Sequence, residues 1–198
     1  GTTGRQNACN IIPNKPGVAA GYRKTDNERD AFELLFTEQM VEKIVLYTNK
    51  RISETIEIIG NDIMESGKYP HVKKVDAIDI YAVIGLMYMR GLYGLNKHDL
   101  RLLFSDKRGI PIFGATMSRL RYQFIVKHLS FDDIETREER WKSDRFTAMR
   151  DIFEACNKSF GSALVPENFI ALDETLYPTR HQISFKQYNP DKPAKYGL

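Results

Sequence analysis

Phe169-Ile-Ala-Leu-Asp173-Glu174 opens the stretch that decides the fold class, and Gln182-Ile-Ser-Phe-Lys-Gln-Tyr188 and Asn189-Pro-Asp-Lys-Pro-Ala-Lys-Tyr-Gly197 follow it. The short apolar run predicts a buried strand, and the alternating run predicts another. Asp173 would then lie where the first strand leaves the core, a position that suits a metal ligand. An acid there can equally cap a turn or form a salt bridge, so the local pattern leaves both interpretations open.

The composition is that of a globular protein with one large domain or two small ones. The chain has 198 residues, of which 42% are hydrophobic and 28% charged, with a formal net charge of +3. The cysteines, Cys9 and Cys156, lie far apart outside any Cys-x-x-Cys pattern, which excludes a zinc site and favours a reducing compartment. The most apolar run, Ile80 to Met89, is shorter than the roughly 20 residues of a membrane span, so no membrane partner is expected.

The middle of the chain predicts a helical region. Capping signals and apolar residues at three- and four-residue steps recur between about residues 30 and 160. Ile80 to Met89 is apolar nearly all round, which predicts a central helix of the core. Thr136 to Arg145 predicts a charged connection. Residues 1–29 are rich in Gly, Pro, Asn and Thr and predict an extended or poorly ordered arm, for which a linker role outweighs DNA tracking.

The most basic internal segment runs from Asn96 to His128. Its cations are Lys97, Arg101, Lys107, Arg108, Arg119, Arg121 and Lys127. Helical placement would let several of them face one way and contact phosphates. From the residues alone, an ordinary charged surface explains them equally well. Closer to Asp173 in sequence, Lys186, Lys192 and Lys195 would either hold a nucleic-acid strand or decorate a loop.

The order of these features resembles one family, the piggyBac-type transposases. The acid pair, the turn, the aromatic-basic strand and the Lys192 to Gly197 tail resemble the family's first catalytic segment. Four stretches of the middle follow the family's order more loosely: Met89 to Leu92, Met117 to Tyr122, His128 to Asp133 and Ser143 to Phe146. The resemblance spans about residues 30–198. The chain departs from it at Tyr177-Pro-Thr-Arg180, where members often carry a Phe-x-Gly-Arg-like turn.

The resemblance implies a mainly α-helical domain followed by the first strands of an RNase H-like α/β domain, which is truncated here. Residues 1–29 would be a flexible arm, residues 30–165 a helical dimerisation and DNA-binding domain, and residues 166–198 the start of the catalytic domain. Asp173 would be the first of three catalytic aspartates and a metal ligand. With the resemblance added, the metal-ligand interpretation of Asp173 and phosphate binding by the basic segment are favoured.

The implied function is that of a fragment of a piggyBac-like DNA transposase. The full-length protein would bind transposon-end DNA in the nucleus as a homodimer and cleave and transfer strands with Mg²⁺. Because the other catalytic aspartates would follow Leu198, we expect the chain alone to be inactive. The alternative is a domesticated transposase-derived protein that binds DNA or another protein without catalysis.

Overall fold

A computed structural model describes residues 15–60, 65–167, 169–171, 177–179, 183, 185–193 and 195–197. The chain divides into two compact units. One unit, residues 26–159, is helical and contains the buried apolar core. The other unit combines residues before 26 with residues from 160 onward, and its described part carries short strands.

Helices dominate the described chain. They are α1 (Glu28–Leu35), α2 (Glu38–Ile59), α3 (Ala77–Leu92), α4 (Leu100–Leu103), α5 (Pro111–Thr116), α6 (Arg119–His128), α7 (Ile134–Ser143) and α8 (Thr147–Ala163), with a 3₁₀ turn at Leu95–Lys97. This confirms the mainly helical class. The RNase H-like part of the fold class stays a prediction.

Helix α2 buries one apolar stripe against the rest of the helical unit. Its buried residues follow three- and four-residue steps: Met40, Val41, Ile44, Thr48 and Ile52. Asn49 lies within the helix, and its side chain exchanges hydrogen bonds of 2.8 and 2.9 Å with the backbone of Val75. The helix ends at Gly60, whose φ of 86° favours a residue without a Cβ.

Helix α3 starts at a capping box. The side chain of Asp76 accepts a hydrogen bond from the amide of Asp79, and the side chain of Asp79 accepts one from the amide of Asp76. The helix buries Ile80, Val83 and Leu86 in the core, as predicted. Its other side is only sparsely covered by the described chain, with Phe32 against Tyr88, and the apolar residues there are exposed: Ile78, Met87, Tyr88 and Leu92. The prediction of a central core helix therefore holds for one face of α3, and its other apolar face is exposed in the described part of the chain.

The segment expected to be a charged connection forms α7. Asp133 caps it by accepting a hydrogen bond of 3.2 Å from the amide of Glu135. None of its residues is buried, so periodic apolar positions do not mark it. Its arginines, Arg137 and Arg140, bind the buried carboxylate of Asp132 and connect the helix to the preceding turn.

The described part of the second unit contains two small antiparallel pairs. Strand β1 (Gly17–Val18) pairs with β2 (Leu164–Val165), so part of the predicted arm is hydrogen-bonded. Strand β3 (Gln187–Tyr188) pairs with β4 (Tyr196–Gly197), in the region of the predicted alternating strand. A strand is predicted to precede Asp173. Its residues Phe169 and Ile170 are exposed and do not form a strand, since no described strand pairs with them.

Candidate nucleic-acid interface

Six of the predicted phosphate-binding cations of the helical unit reach its surface. Lys97 ends the 3₁₀ turn, Arg101 lies in α4, Lys107 and Arg108 lie in the α4–α5 turn, and Lys127 lies in the last turn of α6; all five are exposed. The sixth, Arg119, is half-buried in the first turn of α6, where its Nη1 donates to Oε1 of Gln123 at 2.7 Å. These side chains are available to a ligand in solution.

Three aromatic rings hold together the elements that carry most of these cations. The ring of Phe104, which ends α4, lies 5.4 Å from Phe113 of α5 and 5.5 Å from Tyr122 of α6. Phe113 and Tyr122 are almost fully buried. Helix α4, the following turn, α5 and the start of α6 therefore form one packed group. Lys127 lies eight residues beyond Arg119, or about 12 Å further along α6.

The α4–α5 turn exposes its charges because its backbone folds back on itself. The amide of Gly109 donates to the carbonyl of Ser105 at 2.8 Å, and the amide of Ile110 donates to the carbonyl of Leu103 at 3.2 Å. These bonds satisfy the inner backbone groups. Lys107 and Arg108 are left at the exposed tip of the turn.

Arg121 differs from the other predicted cations, because it is buried. Its Nη1 donates to the carbonyls of His71 and Lys73 at 3.0 and 2.6 Å. Its Nη2 donates to the carbonyl of Lys74 at 2.9 Å and to Oδ2 of Asp79 at 2.7 Å. Only 6% of the Arg121 side chain is exposed. The structure thus buries Arg121 instead of exposing it for the predicted phosphate contact, since the terminal nitrogens of its guanidinium face the protein interior.

The arginines of α7 are also engaged within the protein. The carboxylate of Asp132 accepts from Nε of Arg137 at 3.1 Å and from Nη2 of Arg140 at 2.8 Å, and Arg140 also donates to the hydroxyl of Thr147. Burial raises the pKa of Asp132, but the hydrogen bonds from Arg137 and Arg140 outweigh burial and hold this pKa below 3.8. Both arginines are therefore held by groups of the protein itself, the carboxylate of Asp132 and, for Arg140, the hydroxyl of Thr147.

The lysines predicted near Asp173 lie in and around the β3–β4 hairpin. Nζ of Lys186 is 5.4 Å from the ring centre of Tyr196, whose ring packs 4.9 Å from that of Tyr188. Lys195 is exposed and Lys192 is half-buried in the connecting turn. The turn is closed by a hydrogen bond of 2.9 Å from the amide of Asn189 to the carbonyl of Lys195. The hairpin thus carries these cations together.

Asp173 and its neighbours Glu174 and Arg180 lie outside the described residues. In the part of the chain that the structure describes, no group of three His, Cys, Asp or Glu side chains is placed to hold a metal ion. The described residues therefore do not supply a ligand set for Mg²⁺. Over the same residues, no helix combines the length and apolar character of a membrane span.

Sequence reasoning missed one basic stretch, the loop before α3. Lys73 and Lys74 are adjacent and exposed, and neither forms an ion pair with another described residue. The available signal was a pair of lysines between Val72 and Val75, which are buried. Alternation of that kind indicates a loop that is anchored by its apolar residues and exposes its charges.

Comparison with known proteins identifies the family. Residues 27–198 match the family model described as Transposase IS4. A cryo-EM structure of the piggyBac transposase synaptic complex with hairpin DNA is similar to this chain, with a TM-score of 0.80 and 26% sequence identity. That match covers 93% of this chain and 37% of the piggyBac transposase chain. Transposases of this kind generally use a divalent metal ion. Since the family model covers most of its length, this chain belongs to the Transposase IS4 family, the family of the piggyBac-type transposases.

Proposed function

We propose that this chain is the DNA-binding part of a piggyBac-like DNA transposase. One observation carries the proposal: exposed cations lie on elements joined by one aromatic cluster, in a chain similar to a transposase solved with hairpin DNA. The proposed phosphate contacts are Lys97, Arg101, Lys107, Arg108, Arg119 and Lys127, with Lys186, Lys192 and Lys195 on the hairpin. Arg121 is left out, because it is buried and both of its terminal nitrogens already donate to backbone carbonyls or to Asp79.

The test measures the affinity for a labelled DNA duplex at several salt concentrations. Each phosphate contact releases counterions, so the logarithm of the affinity falls linearly with the logarithm of salt, by about 0.9 per contact. We expect Lys107→Ala with Arg108→Ala to reduce this slope by about 2. These side chains are exposed, so the substitution leaves the core intact.

The matched control is Lys43→Ala with Lys142→Ala. It removes the same charge from exposed positions of α2 and α7. We expect it to change the slope by much less than the Lys107 and Arg108 substitutions. No measurable binding by the parent chain at about 50 mM salt would contradict the proposal. Equal slopes for the two double variants would contradict the assignment of the turn.

Catalysis is a proposal that rests on the resemblance at Asp173. In a full-length transposase, which would act as a homodimer in the nucleus, Asp173 would be one carboxylate ligand of Mg²⁺. The 198-residue chain is not expected to cut DNA, because one aspartate does not hold two ions. Full-length protein with Asp173→Asn should lose strand cleavage while retaining DNA binding. Normal cleavage by that variant would refute the role of Asp173 and favour the binding-only alternative.

A further inference from the structure

The loop before α3 is the most basic stretch of the helical unit that the proposed interface does not include. Residues 66–75, here named the lysine loop, contain Lys68, Lys73 and Lys74 and no acidic residue. All three lysines are exposed. Lys68 lies 5.7 Å from the ring centre of Tyr69. A charged stretch of this kind is often only a solvated surface, so a binding role depends on how the backbone of the loop holds the lysines.

The backbone of the lysine loop is fixed from inside the protein. The guanidinium of Arg121 donates hydrogen bonds to three carbonyls of the loop, those of His71, Lys73 and Lys74. Asn49 of α2 holds the end of the loop through two hydrogen bonds to Val75. These bonds join the loop to α6 and α2. The segment is therefore ordered although it has no regular secondary structure.

The same bonds determine which groups remain for a ligand. The carbonyls of Lys73 and Lys74 point to Arg121, so their acceptor oxygens are turned away from an approaching anion. The charge of Arg121 is balanced by Asp79 inside the protein. The ammonium groups of Lys73 and Lys74 stay outside without an acidic partner among the described residues. A rigid backbone lowers the entropy lost when such side chains bind a ligand.

We propose that the lysine loop contacts the phosphate backbone of DNA through Lys73 and Lys74, and that Arg121 is the positioning residue of this contact. This inference rests on the proposed DNA-binding function and adds a second surface to it. It also explains why a cation occurs at position 121 without reaching solvent. Arginine suits this position, because its planar fork of donors serves several carbonyls at once, whereas lysine is a single point charge.

The first experiment compares two double variants. One carries Lys73→Ala and Lys74→Ala together, and the other is the control that carries Lys43→Ala and Lys142→Ala. Binding to a labelled DNA duplex is measured at several salt concentrations. The lysine-loop variant should reduce the slope of log affinity against log salt by about 2, and the control pair by much less. Both pairs are exposed, so neither change disturbs the core.

The second experiment tests Arg121 with Arg121→Lys, which keeps the charge and removes the fork of donors. Amide hydrogen exchange should become faster in residues 71–75, and the salt slope should decrease toward that of the lysine-loop variant. A purely structural role for Arg121 would change the exchange and leave the salt slope of the folded protein at the parent value. That result would overturn the positioning role.

The outcomes separate this inference from the proposed function. A parent chain that binds DNA, together with a lysine-loop variant indistinguishable from the control pair, would overturn the inference alone. A parent chain without DNA affinity would overturn both. If Arg121→Lys does not fold, the lysine-loop variant still decides whether Lys73 and Lys74 contact DNA, because its substitutions are on the surface.

Discussion

Gly109 is the residue on which the geometry of the α4–α5 turn depends. A Cβ at this position would lie 2.4 Å from the carbonyl oxygens of Leu103 and Ser105 and 2.7 Å from the amide of Ser105. All three are backbone atoms, which cannot rotate away as the end of a side chain can. Any larger residue would therefore open the turn that displays Lys107 and Arg108.

We predict that Gly109→Ala destabilises the protein by about 2 kcal/mol, the usual range for overpacking a tight site. Gly114→Ala is the matched control, because a Cβ there meets nothing within 4 Å and alanine favours its helix, α5. Urea unfolding of both variants measures the difference. Equal free energies of unfolding for the two variants would show that the turn is not as close-packed as the structure indicates.

At the scale of the element, α3 shows that an apolar side chain is not necessarily a buried one. Val83 is 1% exposed and Ile78 is 77% exposed, although both are apolar residues of one helix. The hydrophobic effect acts through the area removed from water, so these two residues contribute very differently to stability. The exposed apolar side of α3 also includes Met87, Tyr88 and Leu92.

We predict that Val83→Asp lowers the free energy of unfolding by roughly 3 kcal/mol or more, because it buries a charge without a partner. Ile78→Asp should change it by about 0.5 kcal/mol or less, because the side chain is exposed and an acid in the first turn of a helix is favourable. Thermal or urea unfolding of both variants is the measurement. A comparable loss for Ile78→Asp would mean that this face of α3 is covered in solution.

For the whole molecule, several carboxylates titrate below their ordinary range because they pair with cations. Asp144 accepts hydrogen bonds from Arg150 and from the amide of Phe146, and these lower its pKa from 3.8 to about 2. Lys50 lowers the pKa of Asp133, and the pKa of Asp132 is also held below 3.8. Each of these groups binds its proton less readily in the folded state than in the unfolded state.

We therefore predict that the stability of the protein falls as the pH drops from about 5 to about 2. A depressed carboxyl pKa contributes stability that is present above the unfolded value and is lost as the pH falls through the folded value, which is about 2 for Asp144. Urea unfolding at a series of pH values tests this, and Asp144→Asn should show a weaker fall between about pH 4 and pH 2. A flat profile for the parent protein would contradict these ion pairs.

Local sequence predicted well the elements whose formation depends on neighbouring residues. The capping box at Asp76 and Asp79 and the helix end at Gly60 are of this kind, because a cap or a glycine with positive φ acts within one helical turn. The buried stripes of α2 and of one side of α3 follow from the helical period. The resemblance to piggyBac-type transposases, read from the tail motif and the order of the middle stretches, is confirmed by the family match.

Tertiary structure decided the features that depend on residues distant in sequence. Arg121 has the same local setting as Arg119, yet it is buried because the lysine loop, about fifty residues earlier, turns its carbonyls toward it. Helix α7 lacks an apolar stripe, so the period did not reveal it, and it is fastened by ion pairs to Asp132. Sequence by itself thus determined the family and the helical class. The fold alone decided which cations face solvent, because burial of a charge depends on partners that only packing brings within hydrogen-bonding distance.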